Sequence, residues 1–226
     1  MNWTWKQSLI TVIILAAISG GISLWLEGWH LVEIPVLNSD QLKAKFDRTS
    51  RVCLPAENGP NRGWGECGSI KDMSLDLVSL HNTSMMGAAL SSSQFNSFVF
   101  SQLDLGFSRW NDVQFISGQM AVIGAFQSNF ENVTFEDTDI TGARFLGAKF
   151  TNCIFKNVRL TDVFFNNASF DKVRFEKVTC YNCDFRGAVF SDSHLDGDFE
   201  FTYYNERTLL PLAWDELKAK GFSFKL

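Results

Sequence analysis

The sequence predicts an all-β solenoid, a β-helix built from square coils, that follows one N-terminal transmembrane helix. Apolar residues recur at every fifth position from Leu75 to Leu195 without a break. No charged residue occupies these positions or the positions two residues before them. A charge-free run, Ser8–Leu26, precedes the repeat and is long enough to cross a bilayer.

The composition narrows the class of protein. The chain has 226 residues, of which 46% are hydrophobic and 20% are charged. These values exclude a disordered tail and leave room for one domain with an appendage. The net charge of −5 offers no polycationic surface to nucleic acid, so no nucleic-acid partner is expected.

Residues 8–26 are predicted to form a transmembrane anchor after a cytoplasmic N-terminus of residues 1–7. The 18 residues Leu9–Leu26 span about 27 Å as a helix, against roughly 30 Å of hydrocarbon. A cleaved signal peptide is the main alternative, although no small-x-small cleavage site follows the run. A buried core helix is the other. Tryptophans flank the segment on both sides, as interfacial aromatics do: Trp3, Trp5, Trp25 and Trp29.

The charges around this segment predict its orientation. Lys6 precedes it, whereas Glu27 and Glu33 follow it, so the positive-inside rule places the N-terminus in the cytoplasm. The chain is then a single-pass protein of the inner (plasma) membrane with its repeat domain in the periplasm or another extracytoplasmic space. Ala16 and Gly20, four residues apart, would let two such helices pair in a homodimer.

Residues 27–69 are predicted to be a connector and N-terminal cap, because they lack the five-residue period. Cys53 and Cys67 flank a stretch rich in Gly, Pro and Asn, which indicates a loop. A disulfide between them would contribute about 3 kcal/mol in an oxidising compartment. The outward topology favours that bond, and two free thiols are the alternative.

Residues 70–195 are predicted to form the repeat domain. A period of five fits neither a helix nor a flat strand, so the backbone must turn a corner every five residues. Four corners close a coil of about 20 residues, and about six coils stack at roughly 4.8 Å per coil. The residue at each fifth position points to the axis, and the small residue two before it fills the corner. The central phenylalanines of this core are Phe95, Phe115, Phe130, Phe135, Phe145, Phe150, Phe155, Phe170, Phe175, Phe185 and Phe190.

Three segments within this stretch carry a family resemblance: ARFLGAKF, VRFEKV and CDFRGAVF. They resemble the A(D/N)Lxx pattern of pentapeptide-repeat proteins. The resemblance implies a right-handed quadrilateral β-helix and supplies no catalytic residue. The best-known members of the family resemble duplex DNA and bind DNA gyrase, whereas others are structural or interaction modules.

The register also places three cysteines in the interior. Cys153 and Cys183 fall on corner positions and Cys180 on a core position, which favours reduced, inert packing residues. Cys180 and Cys183 have the C-x-x-C spacing, but no second pair follows, so no metal site is predicted.

Sorting the outward positions by face leaves one face apolar and three polar. We call Met86, Phe107, Phe126, Leu146 and Phe164 the apolar face. Exposed apolar patches of this kind usually mark an interface. The alternative is that the connector or the C-terminal tail covers it.

Residues 196–226 are predicted to be a C-terminal cap, with a short helix from Pro211 to Lys220 that ends at Gly221. The cap would protect the strands of the last coil from aggregation. In proteins that the chain resembles, a C-terminal helix also joins two rods in a dimer.

No motif in the chain points to catalysis. His30, His81 and His194 lie far apart, and no GxSxG, HExxH or phosphate loop is present. The expectation is a non-enzyme without cofactor or metal. We predict a tethered accessory or scaffold subunit that docks on a protein in or near the membrane, or on itself, through the apolar face, the C-terminal helix or the transmembrane helix. The alternative is a DNA-mimicking gyrase-binding protein. The predicted topology opposes it, and so does the mixed charge of residues 70–195, which contain 13 acidic and 10 basic residues.

Overall fold

The computed structural model describes residues 69–225. The predicted anchor and its orientation, the connector before residue 69 and the Cys53–Cys67 pair lie outside the described residues. Within residues 69–225, no helix is long and apolar enough to span a membrane.

The described chain is an all-β right-handed solenoid of about eight turns. Strands β1 to β17 form one 17-stranded sheet that coils around the core, and β18 pairs separately with β19. All strand pairs are parallel, and partners such as Phe115 and Phe135 lie 20 residues apart. The elements are β1 (Ser69–Lys71), β2 (Ser74–Asp76), β3 (Ser79–Ser84), β4 (Ala89–Asn96), β5 (Val99–Asp104), β6 (Arg109–Ile116), β7 (Gln119–Ala121), β8 (Asn129–Glu131), β9 (Thr134–Glu136), β10 (Asp139–Thr141), β11 (Lys149–Thr151), β12 (Ile154–Lys156), β13 (Arg159–Thr161), β14 (Ser169–Asp171), β15 (Arg174–Tyr181), β16 (Val189–Ser191), β17 (His194–Glu200), β18 (Thr202–Tyr204), α1 (Trp214–Ala219) and β19 (Phe222–Phe224).

A left-handed residue turns each corner of the coil. From Asp72 to Asp192 the backbone has positive φ at every fifth position. Asn, Asp, Ser and Gly occupy most of these positions, and Asn, Asp and Gly adopt this conformation with little strain. One left-handed residue per five therefore produces the corners that the sequence period predicted.

The residues predicted to form the core are buried. Every residue at a fifth position from Leu75 to Leu195 is buried, and the most exposed, Phe190, reaches only 8%. The small residues two positions before them are buried too, except Met73 and Ser193 at the two ends. Rings 20 residues apart stack in columns: the Phe135 and Phe155 centroids are 4.8 Å apart, as are those of Phe155 and Phe175. This distance equals the spacing of paired strands, so the aromatic columns follow directly from the register.

One of these small-residue positions holds a large side chain, and a glycine in the next turn makes room for it. Phe98 lies two residues before Phe100 and is 1% exposed. Gly118 stacks above it, and a Cβ there would lie 2.2 Å from the Phe98 ring. The Phe98 ring therefore also fills the space where a side chain at position 118 would lie, so this position requires glycine.

The solenoid is longer than the six coils that the period predicted. The fifth-position register does not end at Leu195 but shifts by one residue, because Val178 pairs with Gly197, 19 residues away. The interior then continues through Phe199 and Tyr204, both buried. Gly197 permits the shift, since a Cβ there would lie 1.9 Å from the Val178 carbonyl oxygen.

The C-terminal cap closes the last turns. The predicted helix is present but shorter, because α1 begins after Pro211 and Leu212 rather than at the proline. Phe222 in β19 stacks on Phe199 with centroids 4.9 Å apart, and its ring lies 6.2 Å from that of Phe185. These rings cover the end of the interior column.

The structure corrects the prediction that Cys180 and Cys183 are reduced. They form a disulfide with their Cα atoms 6.0 Å apart, within the range that a disulfide requires. A core residue and the corner residue three positions later both point inward, so the register brings the two sulfurs together. Cys153 is a free, buried thiol. The C-x-x-C spacing in a domain predicted to lie outside the cytoplasm was the signal for the bond.

Candidate interaction surface

The five residues of the apolar face lie on one side of the solenoid, around the inward column that contains Phe145 and Phe165. Single parallel bridges hold this side together, linking Arg144 to Phe164 and Phe164 to Asp184. The predicted placement of these five residues on a common face therefore matches the fold. Whether they contact a partner stays a prediction.

The apolar face is open to solvent in the described chain. Phe126 is 47% exposed and Met86 is 37% exposed, while Phe107, Leu146 and Phe164 are half-buried. The Phe107 and Phe126 rings meet edge to face with centroids 5.4 Å apart. The residues after 195 pack at the other end of the solenoid, on Phe185 and Phe199, and leave Phe126 exposed.

Glycine keeps the backbone low beside these rings. A Cβ at Gly106 would lie 3.9 Å from Met86 Cγ and 3.8 Å from the Phe126 carbonyl oxygen. The nearest atom would be Asp104 Oδ1 at 3.1 Å, which also accepts a hydrogen bond from the Gly106 N–H at 2.9 Å. Gly106 therefore lies between the Asp104 carboxylate and the Met86 side chain.

Four bulky apolar residues have a left-handed backbone, where Asn or Gly would be less strained. Leu77, Phe107 and Val122 lie in the first turns, with φ of 55°, 59° and 56°, and Phe201 lies near the C-terminal end, with φ of 52°. A left-handed conformation costs an ordinary residue about 1–2 kcal/mol, and more if it is β-branched. Leu77 is 80% exposed and Val122 is 60% exposed, so core packing does not repay this cost. Strain of this kind concentrates at functional sites.

Apolar exposure and charge divide the solenoid along its length. The 50 residues from 77 to 126 contain three charged residues, whereas the next 50 contain 13. Leu77, Met86, Val99, Val122 and Phe126 are exposed in the first stretch, and no large hydrophobic residue is exposed to a similar degree between 127 and 180. The candidate interaction surface is therefore centred on the first turns.

An ion pair between the buried Asp184 and the partly exposed Arg186 borders the apolar face downstream. Arg186 Nη2 donates to Asp184 Oδ2 at 2.6 Å, and Arg186 Nε donates to Asp184 Oδ1 at 2.9 Å. Burial is the largest single influence and raises the pKa of Asp184. The hydrogen bonds from Arg186 and Asn166 and the charge of Arg186 outweigh it and hold that pKa below its ordinary value of 3.8.

Charges on the polar faces are paired between stacked turns. Lys156 Nζ lies 2.6 Å from Glu136 Oε1, and Arg159 Nη1 lies 3.4 Å from Asp139 Oδ2. Exposed pairs of this kind add little stability. They do alternate the sign of charge along the faces, so these positions do not build the continuous negative rows of a DNA backbone.

The histidines and acidic residues of the described chain do not gather into a metal site. Within residues 69–225, no group of three or more His, Cys, Asp and Glu side chains could hold a metal ion. His81 hydrogen-bonds through Nδ1 to Ser101 Oγ on the stacked turn. His194 lies at the start of β17, and His30 lies outside the described residues.

The apolar face could be found from the sequence, but two exposed apolar residues outside it were missed. Leu77 and Val122 do not fall on the five positions of the face, although they belong to the same turns. The signal was a large hydrophobic residue two positions after the core residue. Sequence alone did not show that this position is left-handed.

The comparisons with known proteins agree with this fold. Residues 130–174 and 145–194 match the family model described as "Pentapeptide repeats (9 copies)". No curated protein matches the sequence. The chain is similar in structure to HetL, a pentapeptide-repeat protein involved in heterocyst differentiation regulation from the cyanobacterium Nostoc sp. strain PCC 7120. The TM-score is 0.51 at 12% identity, over 62% of this chain and 63% of HetL. This chain therefore spans less than two thirds of HetL.

Two further structures match more weakly. A trypsin-treated variant of QnrB1, a plasmid-mediated fluoroquinolone resistance protein, aligns with a TM-score of 0.45 and 14% identity over 73% of this chain and 86% of QnrB1. Rfr23 from the cyanobacterium Cyanothece 51142 aligns with a TM-score of 0.26 and 10% identity over 62% of this chain and 90% of its own. At these identities the likeness concerns the fold alone.

Proposed function

Because the chain is a pentapeptide-repeat protein, we propose that it is a non-enzymatic interaction module that docks on a protein partner through the apolar face. Proteins of this kind are generally structural or interaction modules with a rod-like fold. In this proposal residues 8–26 tether the module to the inner membrane, and the repeat domain stands on the periplasmic side. It acts there as an accessory or scaffold subunit of a membrane or periplasmic complex.

The strained apolar corner carries the proposal. Phe107 belongs to the apolar face and holds a left-handed conformation with φ of 59°. Asparagine occupies the equivalent corner at position 167 with φ of 56° and would be less strained. Retaining Phe at a cost of about 1 kcal/mol is expected where the ring contacts something outside the fold.

The position of the surface supports a partner at the membrane. The exposed apolar residues of the first turns, 77–126, follow the predicted anchor most closely in sequence. This stretch has three charged residues, so an uncharged protein surface is a better match than an anionic lipid headgroup, which would need a basic cluster.

A matched pair of variants tests the docking. Phe126→Ser removes an exposed ring that meets Phe107 edge to face at 5.4 Å. Phe201→Ser removes an exposed ring that meets Tyr181 edge to face at 5.3 Å at the other end of the solenoid. The full chain is cross-linked in membranes, solubilised in detergent and recovered with its bound proteins.

We expect Phe126→Ser to lose the cross-linked partner and Phe201→Ser to keep it. Equal retention by both variants would reject the apolar face as the docking site. The mass of the cross-linked species separates a second copy of this chain from another protein. A homodimer that survives Phe126→Ser would point instead to α1 or to the transmembrane helix.

The alternative function, DNA mimicry directed at gyrase, has less support. The alternating pairs Glu136–Lys156 and Asp139–Arg159 interrupt the negative rows that a mimic of duplex DNA needs. A C-terminal reporter fusion tests the topology on which the tethered function depends. Activity of a periplasmic reporter would exclude a cytoplasmic target, and activity of a cytoplasmic reporter would reject the proposed orientation.

A further inference from the structure

The Cys180–Cys183 disulfide is sealed inside the solenoid. Both residues are 0% exposed. Thiol–disulfide exchange requires a third sulfur to approach the bond directly. No oxidant or reductant can therefore reach the pair while the surrounding turns stay in place.

The C-terminal cap covers the pair on its downstream side. Cys180 pairs with Phe199 in β17, and the backbone N–H of Tyr203 donates to the Cys183 carbonyl oxygen at 2.8 Å. Phe199 is itself covered by Phe222, at 4.9 Å between centroids. The route from solvent to the disulfide on this side therefore passes through residues 196–225.

The upstream side is harder to open. There Cys180 pairs with Leu160 in β13, in the middle of a continuous stack of turns. Exposing the disulfide from that side would separate two turns and their paired strands. The end of a solenoid contacts only one neighbouring turn, so the cap is the segment that opens at the lowest free energy.

We propose that a thiol–disulfide oxidoreductase forms the Cys180–Cys183 bond before the cap docks, and that the docked cap then shields the bond from reductants. One cysteine thiolate attacks the disulfide of the oxidoreductase and forms a mixed disulfide with it. The second cysteine thiolate then attacks the sulfur of the first cysteine, which forms the Cys180–Cys183 bond and releases the sulfur of the oxidoreductase as a thiolate. Two electrons pass to the oxidoreductase, which leaves as a dithiol, and the two cysteines lose two protons. This inference goes beyond the docking function and does not depend on any partner at the apolar face.

The redox state is read from one tryptic peptide. Residues 178–186 follow Lys177, end at Arg186 and contain both cysteines. Residues 150–156 contain Cys153 alone and serve as the internal control. The full chain is taken from membranes, quenched with acid and alkylated with iodoacetamide in denaturant without reductant. We expect peptide 178–186 to lack both alkyl groups and to be two hydrogens lighter than the dithiol, with peptide 150–156 alkylated. Alkylation of both cysteines in peptide 178–186 would overturn the proposal.

The shielding by the cap is tested by reducing the folded protein. Phe222→Ala weakens the cap, and Phe98→Ala removes an equally large buried ring from the distant second turn. With dithiothreitol in native buffer, peptide 178–186 should become alkylatable at least about tenfold faster in Phe222→Ala than in the unmodified protein. The rate in Phe98→Ala should stay unchanged. Equal acceleration in both variants would mean that reduction requires global unfolding, and no acceleration in either would mean that the cap is not the gate; either result overturns the proposal. Leu217→Ala, in α1, is the milder cap variant if Phe222→Ala does not fold.

Discussion

Replacing Val122 with Asn tests whether stability is given up where a bulky apolar residue has a left-handed backbone. Val122 is β-branched, has φ of 56° and is 60% exposed. Relief of the left-handed strain is worth about 1–2 kcal/mol. Loss of the buried part of the side chain costs about 0.6 kcal/mol. Val122→Asn should therefore stabilise the protein by about 1 kcal/mol and raise Tm by about 3 °C.

Asn82 offers the reverse substitution in the same corner column. It has φ of 49° and lies two turns upstream of Val122, so Asn82→Val should destabilise the protein by about 1 kcal/mol. Urea unfolding of the full chain in detergent, followed by circular dichroism, measures both changes. If neither variant shifts the midpoint, the corner imposes no strain and the argument from strain to function fails. If Val122 is retained for contact, Val122→Asn should also weaken partner capture while stabilising the fold.

Three further predictions follow from the interior and its border. Gly118→Ala should lower the stability by about 1–3 kcal/mol through overpacking against Phe98, and Phe98→Leu should recover part of the loss; equal urea midpoints for the native and Gly118→Ala proteins would contradict this. Burial raises the pKa of the Cys153 thiol to about 11, so iodoacetamide at pH 8 should label Cys153 only after denaturation, and mass spectrometry of the folded protein would reveal any exception. The pKa of Asp184 is lowered in the fold. Its ion pair therefore stabilises the protein fully when the pH is above the ordinary Asp pKa, and this contribution is lost as the pH falls through the lowered pKa of the folded state. Asp184→Asn should therefore flatten the decline in unfolding midpoint below about pH 4, and a decline identical to that of the native protein would refute this role.

The five-residue register predicted most of the fold because each of its positions has one structural role. Position 155 had to be inward because every residue in its class was apolar and uncharged, and Phe155 is buried. Position 107 was predicted to point outward. Its left-handed backbone could not be predicted, because Phe is an unusual residue for that conformation. The apolar face could therefore be found from sequence, whereas the strain that supports its function could not.

The end of the solenoid was predicted less well for a related reason. A one-residue shift at Gly197 moved Phe199 and Tyr204 out of the fifth-position class, so they could not be recognised as interior residues. The disulfide was missed because the register explained Cys180 and Cys183 as packing residues. A packing cysteine and a disulfide-bonded cysteine both need to point inward at these positions, so the sequence pattern is the same for a pair of free thiols and for a disulfide.

The 19-residue step at Gly197 also bears on how such a chain can change length. Duplication or loss of a 20-residue turn upstream of Gly197 preserves every column, because each residue is replaced by one of the same class. The cap is different, since Phe199 and Phe222 fit a turn that is offset by one residue. The register therefore allows whole turns to be added or removed within the solenoid, whereas the C-terminal end fits only a turn that carries the one-residue offset.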